Sequence, residues 1–435
     1  EKARALLQAG RTDDAIRAFA AVVERFASSD AAPLSLFEIA RIETERHRYA
    51  EAIAALERFL VLFPTNTRWT EAKSALVATI LRSGIYLLHE RKDREGARAV
   101  FERVLVEHPL SSEAPLAYLG IFESLAPPKE DGGIRHHASA DVLENGASDT
   151  PAARDAWTAS LVPLRALAGK YDSSPQAPTA LLLIARILHE KLDRLEDSIA
   201  EYEALVARYP QTAQAAFARE VLGRLREHRL EVLTPGIIAS DEPWSVRIET
   251  RNVPRLKFKA YRVNLEEYFR RKHRIDAIQE VEVGIVAPTK VWEADVPGYR
   301  PFRIEDREWK LELPEDEVGA YILTVEEIPT DDVSGDPSKA PLYATTLVLR
   351  TDLGFVTKHS ATSTFVWAFD PRTSEPVEGA RVLLATGGEI FAENTTGTDG
   401  VARFDHQTAR PEVRAFASRK ASDPIRGTHW AVDAA

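Results

Sequence analysis

One register recurs through the first half of this chain, and it limits the fold more than any composition value. The segments are DDAIRAF from Asp13, AEAIAAL from Ala50, EGARAVF from Glu95 and EDSIAEY from Glu196. Each places a small residue first: Ala15, Ala52, Ala97 and Ser198. Four positions later comes a large one, Phe19, Leu56, Phe101 or Tyr202, and twelve positions after the small residue stands Ala27, Pro64, Pro109 or Pro210. The small residue lets a neighbouring helix approach, and the large residue one turn on fills the gap between helices. Proline then ends the helix, because it lacks an N–H and drives the preceding residue out of the α region. Thr65, Ser111 and Thr212 follow as polar starts for the next helix. A fainter copy holds Ser160, Leu164 and Asp172.

The small residues lie 37, 45, 63 and 38 positions apart. The first and last intervals are close to the tetratricopeptide period of about 34. The two middle intervals require insertions. Residues 1–230 therefore resemble a tetratricopeptide-like solenoid rather than an irregular helical bundle, although the family's Trp and its Leu-Gly pair are missing. A long loop, PPKEDGGIRHHASADVLENGASDTP, interrupts the repeats from Pro127 to Pro151. Adjacent His136 and His137 lie in it. Two such neighbours hold one ion only when further ligands arrive from elsewhere, so no metal is assigned to them.

Near residue 230 the helical spacing gives way to alternating Val, Ile, Phe, Trp and Thr, punctuated by Gly and Pro. The expected architecture is an α-solenoid followed by two antiparallel β-sandwiches of fibronectin or immunoglobulin type. Their domains are placed at 1–230, 231–350 and 351–435. The first sandwich is read from WSVRIETRNV, LKFKAYRVN, VEVGIVAP, EWKLELP, GAYILTVEEI and YATTLVLRT. An amphipathic insert, LEEYFRRKHRID, follows Asn264, with Tyr268 and Phe269 expected to pack it onto the sandwich. Its basic run, Arg270, Arg271, Lys272, His273 and Arg274, reads as a solvated face rather than an anion site. The second sandwich is read from GFVTKHS, STFVWAFD, ARVLLATG, EIFAENT, GVARFD, EVRAFAS and THWAVD. Phe365, Trp367 and Phe369 share one face by period-two geometry and are expected in the core. Pro376, Gly379 and Asp399-Gly400 are expected at its bends.

Three segments of the β half carry a more specific resemblance: TDLGFVTKHS (351–360), VWAFDPRTSEPVEGARVLLA (366–385) and TTGTDGVARF (395–404). With RNVPRLKFKAYRVN (251–264) and GAYILTVEEI (319–328) upstream, they resemble macroglobulin domains of the bacterial α2-macroglobulin family. The Pro-x-x-Gly-Ala and Asp-Gly pieces are turn chemistry shared with other sandwiches. Thr351-Asp352-Leu353-Gly354 raises the specificity. The resemblance implies the N-terminal part of an endopeptidase inhibitor of the protease-trap kind, periplasmic or extracellular, with the repeats docking a protein partner. The alternative is a non-inhibitory envelope scaffold or adhesin-type protein.

The thioester that such traps can carry needs Cys, and this chain has none. No bait segment is recognised. The loop IPTDDVSGDPSKAP (328–341) is acidic, and Asp331, Asp332 and Asp336 lack the ligand spacing of a Ca²⁺ loop. A net charge of −11 argues against nucleic-acid partners, which need a basic stripe. No apolar run is long enough to span a membrane, and the most apolar stretch, Ser74 to Leu88, carries Arg82. No phosphate-binding, nucleophile-elbow or zinc-protease motif occurs, so no catalytic residue, cofactor or metal is assigned and the chain is not expected to be an enzyme. Met is absent, even at position 1. That is expected of a trimmed mature chain, or of a sequence that has lost modified methionines, in which case some spacings run a residue short.

Overall fold

The computed structural model describes residues 1–129, 135–137, 143, 150–233, 236–275, 286–329, 340–360, 362–406, 412–421 and 428–432. Two compact units divide the chain, Glu1–Gly223 and Arg224–Ala435.

The first unit is helical. Its elements are α1 (Lys2–Gln8), α2 (Thr12–Arg25), α3 (Ala31–Glu45), α4 (Tyr49–Leu62), α5 (Trp69–His89), α6 (Arg94–Glu107), α7 (Ala114–Leu125), α8 (Pro151–Lys170), α9 (Ala177–Glu190), α10 (Leu195–Arg208) and α11 (Ala213–Arg226), whose last turn crosses the boundary. The register sets the packing. Ala15, Ala52, Ala97, Ser160 and Ser198 are fully buried, and Phe19, Leu56, Phe101, Leu164 and Tyr202 are buried one turn on. A close approach surrounds Phe101. A Cβ placed on Gly84 of α5 or Gly120 of α7 would meet its ring at 2.6 or 2.5 Å. Only glycine leaves room for the ring on both neighbouring helices.

Each helix-to-helix turn before α2, α4, α6 and α10 passes through one left-handed residue, Gly10, His47, Lys92 or Asp193 (φ 54° to 71°). That residue always stands five positions before the small residue of the register. The irregular spacings also acquire causes. Helix α5 runs 21 residues where α3 runs 15, which lengthens the second interval. The third is lengthened by the connection between α7 and α8.

Among the described residues, the second unit contains α12 (Leu265–Lys272) and the strands β1 (Arg229–Leu233), β2 (Ser245–Arg251), β3 (Arg255–Val263), β4 (Lys290–Asp295), β5 (Glu305–Lys310), β6 (Gly319–Glu327), β7 (Tyr343–Arg350), β8 (Gly354–His359), β9 (Ser363–Phe369), β10 (Arg381–Ala385), β11 (Ile390–Thr395), β12 (Val401–Asp405), β13 (Arg414–Lys420) and β14 (Thr428–Val432). Four antiparallel sheets result, in the orders β1-β2-β5, β4-β3-β6-β7, β11-β10-β13-β14 and β12-β9-β8. All seven segments read for the second sandwich are strands. In the first, β1 and β4 were not anticipated. Both lie at sheet edges, and their charged sequences RLEVL and KVWEAD hide the apolar signal. The strand expected over VEVGIVAP (281–288) lies outside the described residues except for 286–288, which are not strand.

Strand β6 explains how the sheets stack. Tyr321, Leu323 and Val325 point into the core shared with Trp244, Val246 and Ile248. Ala320 and Ile322, on its opposite face, join a different cluster. That cluster also contains Leu383 of β10, Phe416 of β13, Trp430 of β14, and Leu265 and Phe269 of α12. Val382 and Leu384 turn the other way, into the core of the second sandwich. The two sandwiches thus share a third apolar layer, with α12 inside it. Phe269 stacks on Phe416, with ring centroids 5.1 Å apart.

The bends fall where expected. Gly379 and Gly400 have φ of 75° and 72°. At Gly400 a side chain is doubly excluded, because a Cβ would come within 2.6 Å of the Ala368 carbonyl oxygen.

Candidate functional site

Glu123 lies near the C-terminal end of α7 with 3% of its surface exposed. Three imidazoles gather around its carboxylate. His89, the last residue of α5, donates from Nε2 to Oε2 at 3.0 Å. His137 donates twice to Oε1, from Nδ1 and from its backbone N–H, each at 2.6 Å. His136 Nδ1 lies 3.9 Å from Oε1. The rings also touch one another, His136 stacking on His137 at 4.7 Å and tilting against His89 at 5.3 Å.

Burial alone pushes the Glu123 carboxyl up. Donation from the His137 side chain, from His89 and from the His137 backbone overrides that and holds it down at about 2. Burial pushes His136 below the usual histidine value, and Glu123 opposes this only in part. The cluster therefore presents a fixed anion beside imidazole nitrogens.

Residues 135–137 are tied to the helices by more than this cluster. Arg135 is fully buried, donates from Nε to the Pro127 carbonyl at 2.7 Å, and lies over the Trp157 ring of α8 at 5.4 Å. Arg94, the first residue of α6, donates from Nε to the Ser124 carbonyl at 2.9 Å and also binds the Ala126 carbonyl. These bonds satisfy carbonyls that the end of α7 leaves without helical partners. The sequence flagged the His136-His137 pair but not what meets it. His89 and Glu123 look like ordinary polar residues of two helices. Only the packing of α5 beside α7 brings His89 and Glu123 to the pair.

The aromatic residues of β9 correct an expectation. Phe365 and Trp367 are 40% and 37% exposed, while Thr364, Val366 and Ala368 are fully buried. The period-two pattern holds, but the opposite face is the core. The reason is fit: the small side chains of Val366 and Ala368 share that core with Ala380, Ala402, Ala415, Ala417 and Ala431, and Phe404 is the one ring among its buried residues. The rings instead form an outer stripe, with Trp367 stacked on Phe369 at 4.6 Å and paired across the sheet with Val356 and Val401.

The basic run after Asn264 is neutralised locally at its start. Arg270 bridges Glu266 and Glu393, each at 3.0 Å, and Arg271 pairs with Glu267. Phe269 is buried and Tyr268 packs against the same cluster, as the amphipathic pattern anticipates, although the layer it fills serves both sandwiches. Asp331, Asp332 and Asp336 lie outside the described residues.

The junction Thr351-Asp352-Leu353-Gly354 connects β7 to β8. Asp352 Oδ1 accepts from the Ser240 backbone N–H at 2.8 Å, and its own N–H donates to His429 Nδ1 at 3.0 Å. Beside it, buried Arg350 donates to the carbonyls of Ala239, Ser240 and Glu315 and lies over Trp244.

Comparison with known proteins agrees with the helical half. The tetratricopeptide repeat model matches residues 1–67, and a second tetratricopeptide repeat model matches residues 179–212. The chain carries tetratricopeptide repeats. Similar solved structures include native alpha-2-macroglobulin from Escherichia coli spanning domains MG0-NIE-MG1, 14% identical over 46% of this chain and 63% of that one, with a TM-score of 0.33. A fragment of the same protein spanning NIE-MG1 is 15% identical over 47% of this chain and 97% of that one, with a TM-score of 0.32. A tetratricopeptide repeat protein from Parabacteroides merdae is 13% identical over 51% of this chain and 83% of that one, with a TM-score of 0.19. None of the curated proteins matches. Among the described residues, no helix is long and apolar enough to cross a membrane.

Proposed function

We propose that this chain is a protein-docking portion of a bacterial macroglobulin-like protein of the cell envelope, with the repeats as the docking module. The repeat register is the observation that carries it. Solenoids of this kind bury one continuous core and present the same surface position from repeat to repeat. Here Val61 and Val106 stand nine residues after Ala52 and Ala97, and are 77% and 79% exposed. Equivalent apolar side chains left in water on successive repeats suit a partner that lies across both. No catalysis is assigned to the chain.

The finer reading, endopeptidase inhibition, draws its support from the macroglobulin resemblance of 351–404. The alternative is a scaffold that binds envelope proteins without inhibiting anything. One experiment addresses docking and then separates the two. The full chain is used to capture proteins from a bacterial envelope extract, beside a variant carrying Val61→Asp and Val106→Asp. Both sites are exposed, so an unchanged circular dichroism spectrum is expected. Docking through the repeats predicts that a specific partner is lost with the variant. Undiminished capture by a folded variant overturns it. With capture intact, slowed cleavage of a protein substrate in a panel of endopeptidases supports inhibition, and unchanged cleavage supports the scaffold.

A further inference from the structure

We propose that His89, Glu123 and His136 form a binding site for one divalent first-row transition-metal ion, Zn²⁺ by preference, which fastens the insert after α7 to the helices of the repeats. The ligand types fit. Two imidazoles and one carboxylate suit Zn²⁺ and its neighbours, whereas Ca²⁺ and Mg²⁺ take oxygen.

Geometry fits as well. One donor atom from each of the three residues lies within 4.8 Å of the others. Around a tetrahedral ion with bonds of about 2.0–2.1 Å, such atoms are roughly 3.4 Å apart. Small side-chain rotations close that difference, and His89 and Glu123 already stand at 3.0 Å.

The support around the ligands is of the kind metal sites use. Glu123 and His89 are placed by helices rather than loops, and the insert reaches them with Arg135 seated on Trp157. His137 grips Glu123 Oε1 twice, which orients the carboxylate as an outer-shell partner does. The guanidinium groups of Arg94 and Arg135 are directed at backbone carbonyls at the end of α7 and just beyond it. His136 remains on the outer side of the cluster with 47% of its side chain exposed, so an ion can enter there, and a water can complete four-coordination. A hydrogen-bonded carboxylate alone would need only one or two donors. Three imidazoles around one buried carboxylate, with the His136 ring against both others, are more than that purpose requires.

The site stands independently of the docking reading, and its test uses neither a partner nor a protease. The full chain is stripped with a chelator and titrated with ZnCl₂ by calorimetry, and Co²⁺ is added separately to read coordination from its visible absorption. One equivalent should bind, and Co²⁺ should give the intense bands of a low-coordinate nitrogen and oxygen site. His136→Ala lies on the outer side of the cluster and should keep the fold while weakening Zn²⁺ binding by about 100-fold or more, and His137→Ala, which only orients Glu123, by about 10- to 100-fold. No stoichiometric binding by the folded chain overturns the proposal. So does wild-type affinity in His136→Ala, which would place the ion elsewhere or leave the cluster a plain hydrogen-bonded anchor.

Discussion

On β9, successive residues differ in fate by where they point. Val366 has no exposed surface and faces a core rich in alanine, while Trp367 beside it lies on the outer stripe. Val366→Ala should therefore cost about 1.5–3 kcal/mol, two buried methyl groups at about 0.8 kcal/mol each plus the cavity they leave. Trp367→Ala removes a far larger side chain and should cost less, within about 1 kcal/mol. Urea unfolding of the two variants compares them directly, and a larger loss for Trp367→Ala would contradict the assignment of faces. The alternation was legible in STFVWAFD; the choice of face was not. That choice depends on partners far away in sequence, Ala380, Ala402, Ala415 and Ala417 among them. The same limit applies to the histidine cluster. His136-His137 stands out in the chain, but nothing local to His89 or Glu123 shows that α5 and α7 bring them together.

Between elements, the repeats were the most readable part of the molecule, because their rule is local: small, large, then stop. The readable rule extends further than the small residue itself. The left-handed residue five positions earlier is glycine only at Gly10, and His47, Lys92 and Asp193 hold the same conformation without its freedom. With three of the four occupied by other residues, the sequence offers no glycine pattern to find. Between helices, Phe101 is wedged between Gly84 and Gly120. Gly120→Ala adds one methyl where the ring already lies, and should cost about 1–3 kcal/mol despite the better helix propensity of alanine. In combination with Phe101→Leu, which withdraws the ring edge, the penalty should fall below the sum of the single variants, since the two sites touch. Additive losses in thermal or urea unfolding would show that the methyl is accommodated elsewhere.

At the scale of the β-unit, the junction between the sandwiches is held by contacts from both sides. His429 Nδ1 accepts the Asp352 N–H, so this bond needs the neutral imidazole. Burial pushes His429 below its usual range, with Asp352 opposing. An unfolded histidine titrates near 6.5. The unfolded chain therefore takes up the proton first: this contribution to stability is fully present above about pH 6.5 and is lost as pH falls through the depressed folded value. Urea midpoints measured across that range should fall with acidification, and His429→Gln should flatten the fall. An identical slope in the variant would remove His429 from the account. The apolar layer around Phe269, Phe416 and Trp430 completes the joint. Mechanically, four sheets bonded face to face with a helix between the middle pair form a laminate rather than two beads on a hinge. A torque applied at β1 is carried through to the β12-β9-β8 face as rotation of the whole block, and little of it is absorbed by bending at residues 351–354.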